Sequence, residues 1–178
     1  MNKKTFLTGV LLVSVAMILN AEKPVSLKEN FKGHGYEVIP TPVTWHTAKK
    51  HAAQNNGYLV VITTPEENEF VIQLTKKATN GEGAQVWIGL NDEKLEGDWR
   101  WVSGEKITFQ NWASGEPNNY SYAALGGSEH FVHTWKDGKW NDYAGDARIP
   151  FIVEYDHEIE SESSTKKTET KSSTRSTR

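Results

Sequence analysis

Six of the seven tryptophans fall between residues 87 and 140, in a stretch of short apolar runs broken by Gly, Asn, Asp and Ser. A stretch so dense in indoles must bury most of them beneath its own loops, which makes it a compact, loop-rich β half. Its runs read as short strands: Trp87-Ile88-Gly89-Leu90, the alternating Trp99-Arg100-Trp101-Val102 closed by a Ser103-Gly104 turn, Phe131-Val132-His133, and Phe151 to Tyr155. Trp99, Trp101, Trp112 and Trp140 are expected in the core.

The preceding segment is patterned differently. Gly35 to Ile39 reads as a first strand ended by Pro40 and Pro42. Thr44 is placed to cap a helix whose face is Trp45, Ala48 and Ala52, with Gly57 as the stop. Leu59 to Ile62 is a short apolar strand. Thr64-Pro65-Glu66-Glu67 has the form of a capping box with proline at the first helical position, opening a second helix with a Phe70, Leu74 and Ala78 stripe that ends near Asn80-Gly81. Two helices followed by a β half predict a single α+β domain over residues 35–155, with short antiparallel sheets and a long loop region.

The flanks carry other signals. Lys3 and Lys4, an apolar run from Phe6 to Leu19 and then Asn20-Ala21 read as an export signal over residues 1–21, too short for a stable membrane span. The expected location is secreted or periplasmic. Residues 22–34 read as a polar lead-in. Residues 156–178 are Ser, Thr, Lys and Glu with little to bury, which predicts disorder. Removing residues 1–21 moves the net charge from −3 to −5, and the tail holds five acids and five bases, so the acidic excess lies in Glu22–Tyr155. That argues against nucleic acid as a partner. No heptad segment suggests an oligomer.

Chemistry concentrates between Trp112 and Asp142. Glu116, Asn118, Glu129, Asn141 and Asp142 offer three carboxylates and two carboxamides on loop-type sequence. Calcium takes six to eight oxygens of these types. Carboxylates accept a sugar hydroxyl's proton and amides donate back, so the set suits a bound ion that also recognises a saccharide. His130 and His133 lie three apart, on opposite strand faces, which argues against their sharing a zinc ion.

These motifs in this order resemble the C-type lectin-like domain: Thr44-Trp45 with Ala48, Glu67 with Phe70, Trp87-Ile88-Gly89-Leu90, Trp99 with Trp101, Glu116-Pro117-Asn118, Trp140-Asn141-Asp142 and Phe151-Ile152 with Glu154. The resemblance implies the same five principal calcium and sugar ligands, a cis peptide before Pro117, and Tyr120 as a stacking residue. It also implies an accessory calcium site at Asp92, Glu96 and Asn119, with His130 at its fourth position. Glu-Pro-Asn goes in that family with mannose-type ligands, while the insert Asn119–Ser128 resembles that of galactose binders. The ion ligands decide which hydroxyl geometry fits, so mannose-type preference leads. The chain has no cysteine. The family's two disulfide pairs fall at Ala52 with Val153 and at Phe131 with Gly145, and each missing bridge forgoes ~2–4 kcal/mol.

The expectation is an exported, calcium-dependent carbohydrate-binding protein without catalysis. The rivals are a calcium-independent protein-binding domain and, more remotely, a glycan-acting enzyme using Glu116 and Glu129.

Overall fold

The computed structural model describes residues 26–121 and 127–160. Local chemistry sets both helices. Thr44 caps α1 (Trp45–Gln54), its hydroxyl accepting from the Thr47 N–H at 3.3 Å. Trp45, Ala48 and Ala52 are buried on one face, as the spacing predicts. Thr64 caps α2 (Pro65–Ala78) and accepts from the Glu67 N–H. The box is shifted by one residue, because the Glu67 carboxylate accepts from the backbone of Thr63 at 2.8 Å. The buried face of α2 is Val71, Ile72, Leu74 and Thr75, and Phe70 and Ala78 pack at its margin. α1 stops differently from expectation: Asn56 takes the left-handed conformation. Gly57 is required because a Cβ there would lie 2.6 Å from the Glu154 carbonyl.

The strands are β1 (Leu27–Phe31), β2 (His34–Val43), β3 (Tyr58–Leu59), β4 (Val86–Asn91), β5 (Arg100–Trp101), β6 (Glu129–Thr134), β7 (Trp140–Ala144) and β8 (Ile149–Tyr155). They join in one eight-stranded sheet, ordered β1-β2-β8-β4-β6-β7 with β3 on β8 and β5 on β4. The α+β class is as expected. The separate short antiparallel sheets are not: they merge because β8 pairs antiparallel with β2 and parallel with β4 at Trp87 and Phe151. β2 also runs on through Pro40 and Pro42, where its register against β8 shifts between Ile39 and Val43.

Both edges of the domain differ from the reading by composition. Residues 27–31 pair with β2, and Phe31 stacks on Phe70 with centroids 4.6 Å apart. Ile159 exchanges two 2.8 Å hydrogen bonds with Asn30. The export signal, and the tail from residue 161, lie outside the described residues. Among those described, no helix is long and apolar enough to cross a membrane.

Two apolar clusters fill the space around the sheet. One gathers Trp101 and Trp140 with Val61, Leu74, Ile88 and Val132 beneath the loop half. The other holds Trp45, Ala52, Phe131 and Val153. Ala52 and Val153 thus share one cluster, fully buried. Phe131 lies so close over Gly145 that a Cβ there would be 2.5 Å from its ring. A large ring over an empty Cβ position does the filling that a sulfur bridge would have done.

Candidate metal and sugar site

Trp140 positions the site. Its indole is fully buried, donates to Asn68 on α2 at 3.0 Å, and packs against Trp101, Phe109 and Trp112. Its backbone accepts from Ala113 and donates to Asn111, which anchors the start of the Glu116 loop beside β7. Trp99 and Trp112 lie tilted against each other with centroids 4.9 Å apart and both pack on the core, so the indole layer is structural as expected.

The Glu116-Pro117 peptide is cis. Beyond it, Asp142 organises the loop: Oδ1 accepts from the Asn118 N–H at 3.0 Å and Oδ2 from the Asn119 N–H at 2.7 Å. Glu129 accepts from the Tyr120 N–H at 2.8 Å, and its own N–H donates to the Asn119 Oδ1. The Asn118 carbonyl also accepts from Tyr120, leaving it one lone pair. Three of the five residues stand on strands rather than loops: Glu129 opens β6, and Asn141 and Asp142 belong to β7. Strand alternation sends Asp142 inward, fully buried, while Asn141 faces an open cleft.

The electrostatics are unbalanced. Burial raises the Glu116 carboxyl, and the adjacent Asp142 raises it further. Burial lifts Glu129 to about 7, aided by Asp142 and Glu116 and opposed by the Tyr120 N–H. Glu116 Oε2 is buried with no hydrogen-bond partner. Like charges ~4 Å apart repel by about 4 kcal/mol at an effective dielectric of 20. An orphaned carboxylate oxygen among acids is the surrounding that a divalent cation relieves, and the donor set is all oxygen, so these residues fit calcium.

The cleft, of about 620 Å³, is lined by Glu116, Asn118, Glu129, Asn141 and residues that sequence reasoning passed over. His133 is one. Burial lowers its pKa, its Nδ1–H donates to the Thr134 carbonyl, and its Nε2 accepts from the Asn141 amide at 3.2 Å. With the Asn141 Nδ2 engaged by His133 and by the Asp142 carbonyl, its oxygen is the atom of the amide left to other partners. Tyr143, two residues from Asn141 on the same strand face, was findable by alternation. Exposed Trp135 and Tyr120 also line the cleft. Tyr122, which with Tyr120 is a stacking candidate by sequence, lies outside the described residues.

Asp92, Glu96 and Asn119 are not part of this cleft. Asp92 and Glu96 cluster with His130. Asn119 stands between the two groups in the left-handed conformation, donating from Nδ2 to Glu96 at 2.6 Å.

With this geometry in place, the family profile described as "Lectin C-type domain" matches residues 41–155. The chain belongs to the C-type lectin domain family. Over 116 residues it is 34% identical to a hepatic lectin of Gallus gallus, a match covering 64% of this chain and 51% of that lectin's length. The human scavenger receptor C-type lectin carbohydrate-recognition domain superposes with a TM-score of 0.65 at 29% identity, over 73% of this chain and 96% of that one. A calcium-independent type II antifreeze protein shares the C-type lectin fold at 20% identity and a TM-score of 0.61, over 71% of this chain and 89% of that one.

Proposed function

We propose that this C-type lectin domain is an exported, calcium-dependent carbohydrate-binding module that performs no catalysis. The observation that carries the reading is the buried, unpartnered oxygen of Glu116 set against Asp142 and near Glu129. Glu116, Asn118, Glu129, Asn141 and Asp142 would hold the ion. Bound calcium supplies open positions for two vicinal hydroxyls of a pyranose. Glu116 and Glu129 would then accept hydrogen bonds from those hydroxyls, and the Asn118 amide would donate to a hydroxyl oxygen. Asn141 contributes its oxygen alone, because both amide hydrogens are engaged by His133 and the Asp142 carbonyl. Tyr120, exposed at the rim, is the residue that the resemblance assigns to stacking on the sugar.

Carboxylates committed as ionised ligands leave no acid to protonate a leaving group, which disfavours the glycosidase reading. The Glu-Pro-Asn set supports mannose-type ligands. One shallow site binds weakly, on the order of millimolar or ~−4 kcal/mol, and multivalent display would raise retention. A glycan array run with calcium and again with chelator tests this. Retention of mannose-type glycans only with calcium is expected. Calcium-indifferent binding, or protein capture without glycan, would favour the calcium-independent alternative.

A further inference from the structure

A second cluster lies across Asn119 from the first. The three donor atoms of Asp92, Glu96 and His130 fall within 4.8 Å of one another. Asp92 is buried, and the Gly97 N–H fixes its Oδ2 at 2.7 Å, which turns Oδ1 to His130 Nδ1 at 3.0 Å. Glu96 Oε2 is 3.5 Å from the same nitrogen. The backbones of Asp92 and His130 are also hydrogen-bonded, so the pair is rigidly held.

Calcium does not fit here. Of the four positions that the family resemblance implies, only Asp92 and Glu96 present oxygen. Asn119 turns its N–H to Glu96 and commits its carbonyl to the Glu129 N–H, and His130 offers nitrogen. Calcium requires six to eight oxygens. Zinc-class ions accept imidazole nitrogen with carboxylates. At bonds of ~2.0–2.2 Å, tetrahedral donors stand about 3.3–3.5 Å apart, near the 3.0 and 3.5 Å that separate His130 Nδ1 from the Asp92 and Glu96 oxygens. Two carboxylates and a neutral imidazole also balance a charge of two. The Asn119 amide donates to Glu96 Oε2, the oxygen that also faces His130, and so fixes the carboxylate as outer partners of metal ligands do. His130 also borders a groove of about 180 Å³, with His46, Glu93 and Ser128.

We infer that Asp92, Glu96 and His130 form a zinc-class transition-metal site, with water completing the coordination, in the place where relatives of this fold would be expected to hold accessory calcium. This does not depend on the sugar-binding reading.

The test is calorimetric titration of the full, metal-stripped chain with Zn²⁺ and with Ca²⁺, using Co²⁺ as a spectroscopic probe. One equivalent of zinc is expected, weakened about tenfold or more by His130→Asn and unaffected by Glu116→Gln. His130→Asp restores an oxygen and should exchange zinc preference for calcium. Zinc binding that survives His130→Asn, or that is lost in Glu116→Gln, places the ion elsewhere and overturns the assignment. Should a variant unfold, the unsubstituted chain still decides: an intense tetrahedral Co²⁺ spectrum supports the site, and an octahedral one or no binding rejects it.

Discussion

In Glu116 the cost to folding is visible, and the proposed function supplies its counterpart in binding. Its buried oxygen has no partner, and its neighbours are acids. Glu116→Gln keeps the shape and removes the charge. In chelator the variant should therefore melt at or above the parent's temperature. Calcium at about 100 times its Kd adds ~2.7 kcal/mol to a binding chain, or about 8–13 °C for a domain of this size, and the variant should lose most of that rise. A variant that melts lower in chelator and still gains with calcium would show that Glu116 is no ligand. Phe131 makes the complementary case. Its ring occupies the space over Gly145, so Phe131→Ala should cost about 3–5 kcal/mol in urea unfolding. That Glu116, Asn118, Glu129, Asn141 and Asp142 gather in one place was legible, because oxygen type and motif order suffice to pick them out. The hold of His133 on Asn141 was not, since it depends on which residues face each other across β6 and β7, where the register shifts between Glu129 and Phe131.

Helix caps were legible for a similar reason: Thr44 and Thr64 act on backbone within their own first turn. Strand connectivity was hidden, because β8 reaches partners more than sixty residues away, and β1 looked polar though Phe31 closes over α2. Phe31→Ala should cost about 1–3 kcal/mol in chemical denaturation, whereas a true lead-in would cost nothing. Where β2, β8 and α2 meet, Glu154 is buried beside Glu67, Tyr36 and His34. Burial pushes its carboxyl up to about 7; the Val61 N–H and His34 oppose this and Glu67 adds to it. The folded state thus holds this proton more tightly than the unfolded chain. Its effect on stability is absent below about pH 4.3 and becomes an increasing penalty as pH rises to about 7. With calcium chelated, Glu154→Gln should flatten that part of the stability–pH curve. An unchanged slope would mean that the carboxylate is ionised at no cost.

Taken as a unit, the domain divides into a sheet secured at β2, β8 and β4 and a loop region held by carboxylates. Removing calcium should loosen the second and spare the first. Hydrogen exchange should quicken at the amides of Asn118, Asn119 and Tyr120, which donate to Asp142 and Glu129, and stay slow in β2 and β8. Uniform quickening would show that the ion sustains the entire fold. The paired hydrogen bonds between Asn30 and Ile159 carry one more consequence. They gather both flanks of the domain at the β1 margin, with β2, β8 and β4 between them and the β6–β7 cleft. A linker or surface attached through either flank would leave the opposite margin unobstructed, so that several weak binders side by side could all engage one coated target.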